Sequence, residues 1–220
     1  MELEKYIEHT LLKQDAKKDD LIKLFDEAKA HNFLGVCVNG INVKLAKNYL
    51  KDTNIKVVAV AGFPLGACSS EVKAFEAEKA VKDGADEVDM VISVQSIKDK
   101  DYEYTKKDIE TVKHACCNIP LKVIIETDLL TKEEIVKACE LIAESGADFA
   151  KTSTGFVKNG VGAKAEDVKL MAQTLKNTNV KIKASGGIKT REQAIALIQA
   201  GASRLGTSSG VKLIEKQKHL

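Results

Sequence analysis

The sequence predicts an α/β fold, a single (β/α)8 TIM barrel forming one domain over residues 1–220, and three observations carry that expectation. Apolar, β-rich runs recur eight times at fairly even intervals, helical patterns lie between them, and one helix-to-strand junction repeats along the chain. The runs are Tyr6–Leu12, Phe33–Val38, Lys56–Gly62, Glu87–Val94, Leu121–Thr127, Phe149–Thr152, Val180–Ala184 and Arg204–Thr207. Strand runs alternating with helical ones read as βα units that pair in parallel.

The helical segments follow from spacing and from their ends. Leu21, Ile22, Leu24, Phe25 and Ala28 form an apolar stripe before the second run. Thr131-Lys132-Glu133-Glu134 and Thr190-Arg191-Glu192-Gln193 have the form of capping boxes, in which each end of the motif satisfies a backbone N–H of the other. The repeated junction is Asp83-Gly84-Ala85-Asp86, Ser145-Gly146-Ala147-Asp148 and Ala200-Gly201-Ala202-Ser203, with glycine where a helix end needs a left-handed residue. Only two prolines occur, and no low-complexity linker divides the chain. Eight such units in 220 residues approach the lower size limit of a closed barrel. A doubly wound open sheet is the runner-up, disfavoured because no early Gly-rich dinucleotide turn follows a strand.

Composition narrows the function classes. A chain with 44% hydrophobic and 30% charged residues is an ordinary soluble globular protein with room for a substantial core. The net charge of +2 is interspersed, so neither a nucleic-acid nor a membrane surface is expected. The charged Met1-Glu2-Leu3-Glu4-Lys5 start lacks a signal-peptide core and no stretch is long enough to span a bilayer, so the expected location is cytoplasmic. The five cysteines, at 37, 68, 116, 117 and 139, do not form a disulfide framework and read as small packers. Histidines 9, 31, 114 and 219 show no metal-binding spacing, so no metal and no cofactor are expected.

Two lysines carry the chemistry. Lys151, in Phe149-Ala150-Lys151-Thr152-Ser153-Thr154-Gly155, and Lys183, in Ile182-Lys183-Ala184-Ser185-Gly186-Gly187, each interrupt a run that otherwise reads as buried strand. A lone strand-end lysine usually snorkels to water, but two on adjacent strands six and seven would meet near the C-terminal face of a barrel. A lysine desolvated beside a second cation loses its proton more easily, and a neutral amine attacks carbonyls. Asp89, flanked by Val88, Met90 and Val91, is expected to face the interior as an ion-pair partner and proton-transfer group. Gly186-Gly187 after strand seven and Gly206-Thr207-Ser208-Ser209-Gly210 after strand eight lie where barrels commonly bind phosphate, with Gly155 as a third close backbone approach. Gly62-Phe63-Pro64-Leu65-Gly66 reads as a rigid loop after strand three, and Lys98-Asp99-Lys100-Asp101 as a solvated loop entering a helix.

These motifs, in order along nearly the whole chain, resemble those of the deoxyribose-phosphate aldolases. His9-Thr10-Leu11-Leu12, Val36-Cys37-Val38-Asn39 and Lys122-Val123-Ile124-Ile125-Glu126-Thr127 add to the match. The resemblance implies a metal-free class I aldolase that reversibly cleaves 2-deoxy-D-ribose 5-phosphate to D-glyceraldehyde 3-phosphate and acetaldehyde. It implies Lys151 as the Schiff-base lysine, Lys183 as the lysine that perturbs it, Asp89 as the proton donor and acceptor, and Gly186, Gly187, Ser208 and Ser209 as phosphate ligands. Small-molecule substrates are the expected partners, and assembly of identical subunits is left open. Glu8, Gly40, Ser93 and Gln95 depart from the usual Asp, Pro, Asn and Gly, and the chain ends in His219-Leu220 where some relatives carry a terminal tyrosine. The competing readings are a transaldolase-like lysine enzyme and a non-catalytic sugar-phosphate-binding barrel.

Overall fold

The structure, a computed structural model, describes residues 1–215; His219, Leu220 and the last part of the tail after Lys212 lie outside the described residues. Eight parallel strands close into a barrel in sequence order. They are β1 (Ile7–Leu11), β2 (Gly35–Val38), β3 (Lys56–Ala61), β4 (Glu87–Val91), β5 (Leu121–Ile124), β6 (Phe149–Lys151), β7 (Lys181–Ser185) and β8 (Arg204–Thr207). The outer layer comprises α1 (Lys18–Ala30), α2 (Val43–Tyr49), α3 (Ser70–Lys82), α4 (Val94–Lys98), α5 (Tyr102–Ala115), α6 (Lys132–Glu144), α7 (Ala165–Thr174), α8 (Arg191–Gln199) and α9 (Gly210–Ile214).

The strand pleat sorts side chains to two sides. Ile7, Val36, Val57, Val88, Met90, Leu121, Val123, Ala150, Ile182 and Leu205 point outward and merge with the apolar helix faces into one core. The expected capping boxes form at Thr131 with Glu134 and at Thr190 with Gln193. Gly84, Gly146 and Gly201 take φ of 99°, 71° and 121° at the three repeated junctions.

The apolar runs overshoot two strands. The run Glu87–Val94 pairs only to Val91 before α4 begins at Val94, with Ser93 capping that helix by accepting from the Ser96 N–H at 3.3 Å. The run Leu121–Thr127 leaves the strand after Ile124. Ile92 and Ile125 are fully buried beyond these ends, so their apolar character reflects packing in the shell rather than strand length. The loop expected at 98–101 is shorter than read, because Lys98 ends α4; residues 99–101 lead into α5, with Asp101 accepting from the Tyr104 N–H at 3.0 Å.

Candidate active site

Ionic groups fill the middle of the barrel. Register places Asp89 beside Lys122, Ile124 beside Lys151 and Lys151 beside Lys183 on successive strands, all at inward positions of the pleat. Lys151 and Lys183 both donate to Asp89 Oδ2, at 2.7 and 2.6 Å, while Lys122 donates to Asp89 Oδ1 at 2.9 Å. Lys183 also bonds Glu8 of β1. Room for the Lys183 stem comes from Gly206 on β8, where an added Cβ would sit 3.0 Å from Lys183 Cε. Lys122 also pairs with Glu87 Oε2 at 2.6 Å and with Glu8 Oε1 at 3.6 Å.

The number of carboxylates facing each lysine sets its protonation. Burial penalises all three ammonium groups first. Lys122 faces three carboxylates and Lys183 faces two, which overcomes burial and raises both above the ordinary lysine value. Lys151 has only Asp89, which it shares, and the nearby Lys183 charge opposes it further, so burial wins and its pKa falls. Both influences expected from sequence, desolvation and a second cation, lower Lys151; burial is the larger and Lys183 the lesser. Burial would push the Asp89 carboxyl up, but the three ammonium groups outweigh it and hold it well below the carboxylate range.

Of the three interior lysines, Lys151 is the one that lines the cavity at the mouth of the barrel. That space, of about 360 Å³, sits over the C-terminal ends of the strands with Thr10, Lys151, Thr154 and Ser185 among its walls. Gly155, Gly186, Gly187, Ser208 and Ser209, the expected anion-binding residues, line the same cavity, joined by Lys13 and Lys189. Gly186 and Gly187 have φ of 84° and 71°, and a Cβ on Gly187 would fall 2.1 Å from Val161 O. Those glycines therefore also let the β6–α7 loop close onto the β7 turn. Phe63 does not line the cavity; it packs edge-on at 5.1 Å against Phe156, which does.

Lys122, Glu87 and Glu126 were not singled out from sequence. The signal for Lys122 was present, because Leu121-Lys122-Val123 breaks an apolar run as Lys151 does. Glu8, noted only as a departure, is a direct partner of Lys183. Three of the five cysteines are buried packers: Cys116 and Cys139 are pushed up to about 12 by desolvation, and Cys37, inside the barrel, is also raised by burial, whereas Cys68 is half-buried and Cys117 exposed. Among the described residues, no helix is long and apolar enough to cross a membrane.

Comparison with known proteins agrees with this geometry. Residues 5–216 match the model of the DeoC/LacD family aldolase. The chain is 55% identical over 219 residues to a deoxyribose-phosphate aldolase of Thermococcus gammatolerans, covering 98% of this chain and 96% of the relative. It is 54% identical over 215 residues to one from Finegoldia magna, covering 98% and 100%. The tetrameric deoxyribose phosphate aldolase structure from Aeropyrum pernix superposes with a TM-score of 0.86 at 29% identity, covering 96% of this chain and 88% of that one. The chain belongs to the DeoC/LacD family of aldolases.

Proposed function

We propose that the chain reversibly cleaves 2-deoxy-D-ribose 5-phosphate to D-glyceraldehyde 3-phosphate and acetaldehyde through a Schiff base on Lys151. One observation carries this reading: of the three interior lysines, the one lining the cavity is also the one whose pKa is depressed. A neutral amine facing a substrate-sized space is suited to attack a carbonyl.

In this mechanism the Lys151 amine adds to C1 of the open-chain sugar, and loss of water leaves a protonated imine. The C3 hydroxyl passes its proton through water to the Asp89–Lys183 pair, the C2–C3 electron pair flows towards the imine, and D-glyceraldehyde 3-phosphate departs from an enamine. The same pair returns that proton to C2 through water, since neither Asp89 nor Lys183 lines the cavity, and the oxygen they share also bonds Lys151. Hydrolysis then frees acetaldehyde and regenerates the amine. Gly155, Gly186, Gly187, Ser208 and Ser209 offer backbone N–H and hydroxyl groups to the phosphate at the other end of the cavity, which reduces the entropic cost of alignment. The family match, which includes deoxyribose-phosphate aldolases at over half identity, supports this substrate over a ketose donor. The tetrameric relative supports an assembly of copies here too, and molar mass from light scattering tests it.

Borohydride reduction with acetaldehyde followed by peptide mass mapping tests the chemistry. A two-carbon adduct on Lys151 is the expected product. An adduct on Lys183 would reverse the two roles, and a folded, unmodified chain would leave a sugar-phosphate-binding barrel in place of an aldolase using Lys151.

A further inference from the structure

Glu126 lies just beyond β5, buried at 3% exposure, and none of the steps above uses it. Its backbone is left-handed, at φ 59° and ψ 67°, a conformation that costs a non-glycine residue energy and persists where the surroundings hold it. That twist turns its carboxylate onto the β6–α7 loop. The Thr154 N–H donates to both carboxylate oxygens at 3.2 Å, and the Thr154 hydroxyl donates to Oε2 as well.

Asp128, two residues on, grips the far end of the same loop. It accepts from the Gly162 N–H at 2.6 Å and pairs with Lys164 at 3.2 Å. Between the two grips, the loop lies against the β7 turn. The Ala163 N–H donates to Gly186 O at 3.0 Å, and a Cβ on Gly162 would fall 2.4 Å from the Gly186 carbonyl. A void of about 40 Å³ is lined by Glu126, Asp128, Gly155, Gly162 and Gly187, so carboxylates and glycines are parts of one assembly.

We propose that Glu126 and Asp128 are positioning residues that hold the β6–α7 loop against the Gly186–Gly187 turn and thereby set the spacing of the anion-binding end of the cavity. The inference rests on the proposed phosphate site but not on the Schiff base. A carboxylate offers only acceptors to the Thr154 donors, whereas a carboxamide keeps one acceptor oxygen, loses the charge and turns an NH2 donor towards them in place of the other. Losing charge-assisted bonds there should let Thr154 and Gly155 drift from the glycines they face.

The test measures inorganic phosphate affinity by calorimetry, KM and kcat with 2-deoxy-D-ribose 5-phosphate, and acetaldehyde trapping at Lys151, in wild type, Glu126→Gln and Asp128→Asn. In folded Glu126→Gln the phosphate Kd and KM should rise about tenfold, while kcat and trapping stay within about threefold. Asp128→Asn should show the same split with a smaller rise, and it decides the matter if Glu126→Gln does not fold. Unchanged phosphate affinity and KM in a folded variant would overturn the assignment, as would equal losses in KM, kcat and trapping. A wild type that binds no phosphate would overturn the anion site and these roles with it. Phosphate binding weakened in the variants, from a wild type that forms no Lys151 adduct, would keep the positioning role and reject only the Schiff base.

Discussion

The two faces of the same strands are built on different physics. Outward, Val88 and Met90 of β4 and Leu121 and Val123 of β5 join one continuous apolar core. Inward, the residues between or beside them are Glu87, Asp89 and Lys122, which with Glu8, Lys151 and Lys183 form a buried ionic network that meets the cavity at Lys151. The outer face stabilises by area removed from water and is indifferent to which apolar group supplies it. The inner face gains little net stability from its pairs, because desolvation offsets much of the attraction, yet losing one member leaves a buried charge exposed to its neighbours' field. Fold and chemistry are thus separated by one residue's step along a strand.

The sharpest way to break the comparison is Lys151→Leu. Turnover should fall by about four orders of magnitude, and the borohydride adduct should vanish. Thermal stability should hold or improve, because Asp89 keeps Lys122 and Lys183 as partners. A large loss of melting temperature would show that Lys151 is a structural cation after all.

Lys183→Leu should behave differently. It strips Glu8 of its hydrogen-bonded cation, leaving Lys122 at 3.6 Å and Arg204 at 3.9 Å, so a loss of about 3–5 kcal/mol of stability is expected in denaturant titration. Turnover should fall about 10²- to 10³-fold, and near-normal activity would sink its role in proton transfer.

On the other face, Leu121→Ala should cost about 2–5 kcal/mol through the cavity it leaves, with kcat and KM unchanged well below the melting temperature. A changed pH profile in that variant would mean the two faces are coupled.

The pH dependence sharpens the contrast further. Lys151 attacks only when neutral, so kcat/KM should rise about tenfold per pH unit and level off below the ordinary lysine value of about 10.4, because its pKa is lowered. Asp89 acts on stability in the opposite range. Its folded pKa is depressed, so its contribution is fully present above the unfolded value of about 3.9 and is lost as pH falls through the lower folded value. In Asp89→Asn this acid-limb contribution to stability should disappear.

Much of this was legible in the chain because barrel strands advertise themselves. The eight runs, the capping Thr131 and Thr190 and the recurring Gly-Ala junctions are local features that need no tertiary information. Lys151, Lys183 and Asp89 were legible for a related reason: a charge in an apolar run is improbable unless something distant pairs with it. Lys122 carried the same signal and was passed over, since a single lysine in a strand has an ordinary explanation. Glu126 stood inside a motif that carried the resemblance, but nothing local marked its contacts, which depend on a backbone twist and on a partner 28 residues away.

The sequence by itself determined the strand–helix alternation, the barrel and three of the inward charged residues, Asp89, Lys151 and Lys183, since periodicity and burial cost act locally. Only the tertiary structure decided which lysine is depressed. That depends on how many carboxylates each ammonium meets from strands far apart in sequence, with Glu8 and Lys183 separated by 175 positions. Electrostatics inside a closed barrel is a sum over neighbours, and no stretch of chain contains its own neighbours.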